Sequence, residues 1–274
     1  MIVSVVQFFP KFSRVQDNTE RVIDGIRYAK KEGAKLVVYP ECALTGYCFS
    51  SEEEAKEAAI SLSSEPIRSI EEICKELGVV AVVGFAEKRD ANLHNSAAVF
   101  TPEGLKGVYR KTHLPFLGLD RFVKAGDELK AFETSVVKIG VLICYDIRIP
   151  EAVRVLSLQG AEIVVLPTNW PEGASAASDI ICPARAIENG IFVATSNRVG
   201  EEKGFRFIGK SKIIAPNGDV LASAEHANEE TIFAEVDVAK ARNKHVVRIP
   251  GEYEYDLFAS RLPDLYGDLV KKSE

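Results

Sequence analysis

The sequence has 274 residues, with 34 Lys plus Arg against 40 Asp plus Glu for a formal net charge of −6, and it is 46% hydrophobic and 27% charged. That is long and apolar enough to bury one substantial core, which excludes a disordered chain or a fibre, and the acidic excess argues against nucleic acid or an anionic membrane as the main partner. Charge-free apolar runs fall well short of the roughly 18 to 20 residues of a membrane helix, and Met1 to Pro10 has no basic stretch before its apolar one, so a cytoplasmic protein is expected.

In chain order, an apolar run over Ile2 to Phe8 predicts a strand, Asn18 to Glu32 a helix, and Lys35 to Tyr39 a second strand; the same alternation continues downstream. Strand and helix taking turns predict parallel strand pairs covered by helices. Composition shows no linker that would divide the chain. The octapeptide Gly33-Ala-Lys-Leu-Val-Val-Tyr-Pro40 recurs as Gly160-Ala-Glu-Ile-Val-Val-Leu-Pro167, identical at five of eight positions. Downstream, Gly78 to Glu87, Asn95 to Phe100 and Thr101-Pro-Glu-Gly104 are echoed by Gly190 to Asn197, Lys210 to Ile214 and Ala215-Pro-Asn-Gly218. A Pro-x-Gly between two apolar runs marks a hairpin turn. The fold expected is α/β, a four-layer α-β-β-α sandwich of two similar halves.

Ligands of α/β sheets gather at the carboxyl ends of strands, so the residue ending each apolar run is a candidate for chemistry. Glu41 ends Leu36 to Pro40, Lys111 ends Val108 to Arg110, and Cys144 ends Val136 to Ile143. Each has a plain alternative: Glu41 as a surface carboxylate opening a loop, Lys111 as part of the solvated cluster Arg110-Lys111-Thr112-His113, and Cys144 as a buried structural thiol. A thiol at a strand-to-helix turn is exposed, and a neighbouring cation would lower its pKa towards thiolate. The other cysteines are Cys42, Cys48, Cys74 and Cys182; five in all, with no CxxC pair, they read as free thiols, and Cys74 fits the apolar stripe Ile67, Ile70, Cys74, Leu77. His94, His113, His226 and His245 are too scattered for a metal site, and neither metal nor cofactor is expected.

Gly204-Phe-Arg-Phe-Ile-Gly-Lys-Ser211 matches the phosphate-loop pattern GxxxxGKS, which would make the chain a nucleotide-binding protein through Lys210. That chemistry needs small intervening residues, whose backbone amides ring a phosphate, and a helix starting at Lys-Ser. Here the intervening residues are bulky and Lys212 to Gly218 reads as strand and hairpin, so the match is expected to be empty.

Together these residues resemble the nitrilase, or carbon-nitrogen hydrolase, superfamily. The matching segments are Tyr39-Pro-Glu-Cys-Ala-Leu-Thr-Gly-Tyr47, Tyr109-Arg-Lys-Thr-His-Leu-Pro115, Ile143-Cys-Tyr-Asp-Ile-Arg-Ile-Pro-Glu151, and Ala184-Arg-Ala-Ile-Glu-Asn189 with Asn197-Arg-Val-Gly200. The resemblance implies the same sandwich fold, a domain over residues 1–240, and a C-terminal extension, 241–274, that helps form a homodimer. It also implies a Glu41 general base, a Lys111 cation for the oxyanion that also favours the thiolate, and a Cys144 nucleophile. A second glutamate usual in the family has no match at its spacing; Asp120 stands nearest, with Glu128 as the alternative, and His113 reads as structural support. Tyr145 by its backbone amide, Arg148 and Asn169 are the implied substrate-binding residues, Arg148 and Asn169 to orient a substrate carboxylate, with a structural ion-pair partner as the equal alternative for Arg148. The implied reaction is hydrolysis of a small amide through a Cys144 thioester, releasing ammonia and a carboxylate. Cys144-Tyr145-Asp146 in place of the Cys-Trp-Glu common in nitrile hydrolysers favours amides or N-carbamoyl compounds over nitriles.

Overall fold

The computed structural model describes residues 1–225 and 227–271, so His226 and the last three residues of the extension lie outside the described part. The first half runs β1 (Ile2–Gln7), α1 (Val15–Lys31), β2 (Ala34–Val38), α2 (Glu52–Ala58), α3 (Glu65–Leu77), β3 (Val80–Arg89), β4 (Asn92–Thr101) and β5 (Gly104–Arg110). The second runs β6 (Ala131–Glu133), β7 (Lys138–Val141), α4 (Pro150–Leu158), β8 (Ile163–Thr168), α5 (Cys182–Asn189) and β9 (Phe192–Asn197). After the small hairpin β10 (Glu201–Glu202) and β11 (Phe205–Arg206) come β12 (Lys212–Ile214), β13 (Val220–Ser223) and β14 (Glu230–Glu235). A short α6 (Ala239–Arg242) leads to a hairpin of β15 (His245–Ile249) and β16 (Tyr253–Asp256).

Two six-stranded sheets have the orders β14-β1-β2-β3-β4-β5 and β13-β12-β9-β8-β7-β6. Reversing the second gives the same plan as the first: one antiparallel edge strand, three parallel strands, then two antiparallel ones. The octapeptide repeat falls on β2 and β8, the middle parallel strands of the two sheets. The first sheet is closed by β14, which returns from the end of the second half to pair with β1, whereas β6 closes the second sheet as a local hairpin with β7.

The apolar alternation explains the layering. Val3, Val5, Leu36, Val38, Val80 and Val82 share a core with Ile139, Val141 and Ile163 of the other sheet, whereas Val37, Ala81 and Val83 meet Val22 and Ile26 of α1 and Ile67 and Ile70 of α3. Strands buried on both faces read as continuous apolar runs, which is why these segments show little period-two patterning. Cys74 lies in the α3 core, as its stripe predicts. All five cysteines are buried free thiols. Among the described residues no helix is long and apolar enough to cross a membrane. The extension packs first against the second half: the Phe258 ring lies 5.5 Å from the Arg154 guanidinium carbon and 5.0 Å from Lys244 Nζ. Leu262, Leu265, Leu269 and Val270, farther along, are exposed.

Candidate active site

Glu41 follows β2, Lys111 follows β5 and Cys144 follows β7, and the sandwich brings the three strand ends together. Glu41 reaches the interior because Gly84 on β3 has no side chain: a Cβ there would stand 2.5 Å from Pro40 O and 2.8 Å from Glu41 Cα. The segment then turns through Cys42 in the left-handed region (φ 52°). Lys111 Nζ donates to Glu41 Oε1 (2.8 Å) and to Asp120 Oδ2 (2.6 Å), and all three side chains are 0% exposed. The basic-cluster alternative for Lys111 is thereby set aside. Asp120 lies on a tight turn, Gly118–Arg121, and supplies the second carboxylate; Glu128 is instead exposed beside Lys130.

Asn95, in the middle of β4, ties the two acids together: its Nδ2 donates to Glu41 Oε1 (2.7 Å) and to Asp120 Oδ1 (2.8 Å). Sequence reasoning misses this residue. Its one local signal is a polar Asn-Ser pair opening an otherwise apolar stretch of strand. Glu41 Oε2 is left buried with no hydrogen-bond partner among the described residues.

Cys144 opens a tight helical turn, Cys144–Arg148, with the cysteine itself at φ 49°, in a conformation that costs an L-residue energy and turns its side chain off the strand path. Asp146 holds that turn: its Oδ2 accepts from Ile143 N (2.9 Å) and from Tyr109 OH (2.8 Å), while Oδ1 accepts from His113 N (3.0 Å) and contacts His113 Nδ1 (2.7 Å). One carboxylate thus fastens the cysteine turn to the loop just past Lys111, and His113 is part of that fastening. Thr168 and the Asn169 backbone, at the end of β8, face the sulfur. The Asn169 side chain is 1% exposed, and neither its Oδ1 nor its Nδ2 has a partner among the described residues. Arg148 and Tyr145 are exposed, and Arg148 makes no ion pair among the described residues.

Burial governs the electrostatics. It raises the Glu41 pKa above its ordinary value, with Lys111 pulling down and Asp120 pushing up. For Lys111 burial opposes the charge, but Asp120 and then Glu41 outweigh it, so the ammonium is held well above its ordinary range. The Cys144 thiol is pushed up to about 12, by burial first and the Glu41 charge second, against the opposing pull of Lys111, Thr168 and Asn169. Lys111 thus pulls the thiol down, as expected of a neighbouring cation, but burial and the Glu41 charge together exceed that pull and the net direction is up.

The phosphate-loop pattern lies elsewhere and is not a phosphate loop. Gly204 (φ 83°) turns the β10–β11 hairpin, Lys210 Nζ is paired with Asp179 (2.6 Å), and the buried Ser211 hydroxyl donates to Gln7 Oε1 (3.0 Å). The next element is strand β12 rather than a helix, so the Lys-Ser pair opens no helix.

Residues 2–245 match the family model described as carbon-nitrogen hydrolase. A nitrilase from Pyrococcus abyssi is 37% identical over 268 residues, covering 96% of this chain and 98% of its own. The omega-amidase NIT2 of Homo sapiens is 30% identical, with 93% of each chain covered. Among solved structures, a carbon-nitrogen hydrolase from Helicobacter pylori G27 superposes with a TM-score of 0.82 at 26% identity, covering 99% of this chain and 98% of that one.

Proposed function

The chain belongs to the carbon-nitrogen hydrolase family of the nitrilase superfamily, whose members act through an active-site cysteine, and from that premise we propose that it hydrolyses small primary amides through a Cys144 thioester. The observation that carries the choice of amide is the set of unpartnered buried atoms: Glu41 Oε2, and Oδ1 and Nδ2 of Asn169. A primary carboxamide brings two N–H donors and a carbonyl acceptor to such a set. A nitrile brings one acceptor and no donor, and would leave buried acceptors unmet at a cost that strongly disfavours it.

In this reading Glu41 Oε1 is committed to Lys111 and Asn95, and Oε2 is the working atom. As Sγ of Cys144 bonds to the amide carbon, Oε2 takes the thiol proton, which suits a carboxylate whose pKa burial has raised. The negative charge that forms on the carbonyl oxygen is met by the Lys111 ammonium and the Tyr145 backbone N–H. Collapse breaks the C–N bond, Glu41 returns its proton to the departing nitrogen, and ammonia leaves. Water, deprotonated by the same oxygen, then attacks the thioester carbon; collapse breaks the C–S bond, Glu41 returns its proton to the Cys144 sulfur, and the product leaves as the carboxylic acid, which ionises in solvent. Asp120 keeps Lys111 charged and aimed throughout. Asn169 orients the amide, and Arg148, exposed and without an ion pair among the described residues, meets a carboxylate elsewhere on the substrate.

An N-carbamoyl compound presents the same primary carboxamide group to the same atoms, and a panel of aliphatic amides, dicarboxylate ω-amides, N-carbamoyl amino acids and nitriles separates the readings by ammonia release. Cys144→Ala should abolish turnover of every active member while circular dichroism stays unchanged, and quenched wild-type reactions should carry an acyl mass on Cys144. Retained turnover in Cys144→Ala refutes the mechanism. The reading extends to a homodimer, supported by the exposed apolar residues of the extension, and to a cytoplasmic setting, supported by five free thiols.

A further inference from the structure

Tyr47 has no part in the mechanism above, yet the structure fixes it at both ends. Its hydroxyl donates to Asp120 Oδ2 (2.8 Å), the oxygen that also receives Lys111 Nζ, and lies 3.1 Å from Leu117 O. Its ring fills the space over Gly118, where a Cβ would stand 2.5 Å from the ring and where φ is +50°. Its backbone N–H donates to Glu202 Oε1 (2.9 Å) on the β10–β11 hairpin, and the adjacent Cys48 N–H donates to the same oxygen (2.6 Å). Glu202 Oε2 is in turn paired with the wholly buried Arg198 (2.9 Å).

We infer that Tyr47 is a positioning residue: through Asp120 it sets where the Lys111 ammonium sits between the two carboxylates, and the Glu202–Arg198 pair of the second half sets where Tyr47 sits. The inference rests on the proposed Glu41-Lys111-Cys144 site. Asp120 Oδ2 holds two donors, so its pull on Lys111 is shared with the Tyr47 hydroxyl. Without that hydroxyl the ammonium is drawn closer to Asp120 and away from Glu41 Oε1. Glu41 is faced by Lys111, Asp120, Tyr47 and the Cys42 and Cys144 thiols, with the Asn95 amide donating to the same oxygen as Lys111; of the charged groups, Lys111 is the one that favours its ionised form. Weakening that contact moves Glu41 protonation to higher pH. The oxyanion also loses part of its cation. Tyr47 touches neither thiol nor substrate in the proposed mechanism, so the effect falls on chemistry rather than on binding.

The test is Tyr47→Phe, which deletes only the hydroxyl. Rates are measured per Cys144 titrated as the acyl-thioester, so that only folded enzyme counts. The expected result is a fall in kcat of about tenfold, the scale of a hydrogen bond to a charged group, with KM within about twofold and the acid limb of kcat/KM displaced to higher pH. Gly118→Ala, whose Cβ would stand 2.5 Å from the same ring, should give the same split. A Tyr47→Phe enzyme with kcat within about twofold of wild type, or one whose KM rises while the acid limb stays put, overturns the inference and leaves Tyr47 a packing residue. Activity in Cys144→Ala would instead overturn the proposed function, so the two failures are told apart.

Discussion

Replacing Glu41 by Gln should make Cys144 more reactive towards a small neutral alkylating agent at the same time as amide turnover collapses. The thiol sits at about 12 against an ordinary 9.0, which near neutral pH means about a thousandfold less thiolate, or about 4 kcal/mol. Burial is the largest cause and the Glu41 charge the second. The substitution removes the second cause and keeps the Lys111 cation. Without that charge the thiolate fraction rises while each thiolate, being less basic, loses a smaller share of its nucleophilicity, so the net direction is faster alkylation. Amide hydrolysis, which needs the carboxylate as proton carrier, should fall by about a hundredfold or more. The assay follows the mass of the Cys144 peptide under excess N-ethylmaleimide beside ammonia release from the best amide. Alkylation that slows in step with hydrolysis would refute the reasoning, since it would mean that Glu41 already holds the thiol proton in the resting enzyme.

The Glu41 pKa is raised, so the acid limb of kcat/KM should lie above the ordinary 4.5: activity is complete where Glu41 is ionised and is lost as pH falls through the raised value, and a limb at or below 4.5 would count against Glu41 as base. Arg198→Met leaves Glu202 buried without its cation and should cost about 3 to 5 kcal/mol in urea unfolding; a loss under about 1 kcal/mol would show the pair to be dispensable. Cys74 is held at about 12 in the fold against 9.0, so its contribution to stability is complete below pH 9 and drains away as pH rises towards 12. Cys74→Ala should therefore show a flatter stability curve over that range, by up to about 4 kcal/mol, and parallel curves for the two proteins would dismiss the thiol as the cause. Light scattering should give twice the 30.0 kDa chain mass at micromolar concentration, and a monomer would contradict the dimer.

The strand-end rule offers Glu41 and Cys144 because each closes an apolar run, a local property of the chain, whereas for Lys111 the spacing favours a solvated basic cluster and only the structure shows it buried against Glu41. The octapeptide repeat likewise announces the two halves. What stays illegible depends on contacts distant in sequence. Asn95 meets Glu41 across 54 residues and Tyr47 meets Glu202 across 155, and nothing in either neighbourhood names its partner. Spacing offers Asp120 as the nearest acid, and only the turn at Gly118–Arg121 shows why it reaches Lys111 while Glu128 does not. For Cys144 the sequence offers the cation that lowers its pKa but not the burial that outweighs it, because depth of burial depends on the whole sandwich.

The returning edge strand has a mechanical consequence. Ile2 pairs with Glu235, so the first strand of the chain cannot complete its sheet until the last strand of the second half has been made, whereas β6 and β7 pair as neighbours in sequence. The first half is therefore not a separable folding unit: it lacks a border that only the end of the second half supplies. Such pairing across nearly the full chain favours slow folding and unfolding as a single event. It also ties the first half, which carries Glu41 and Lys111, to the far end of the second half, which carries Cys144.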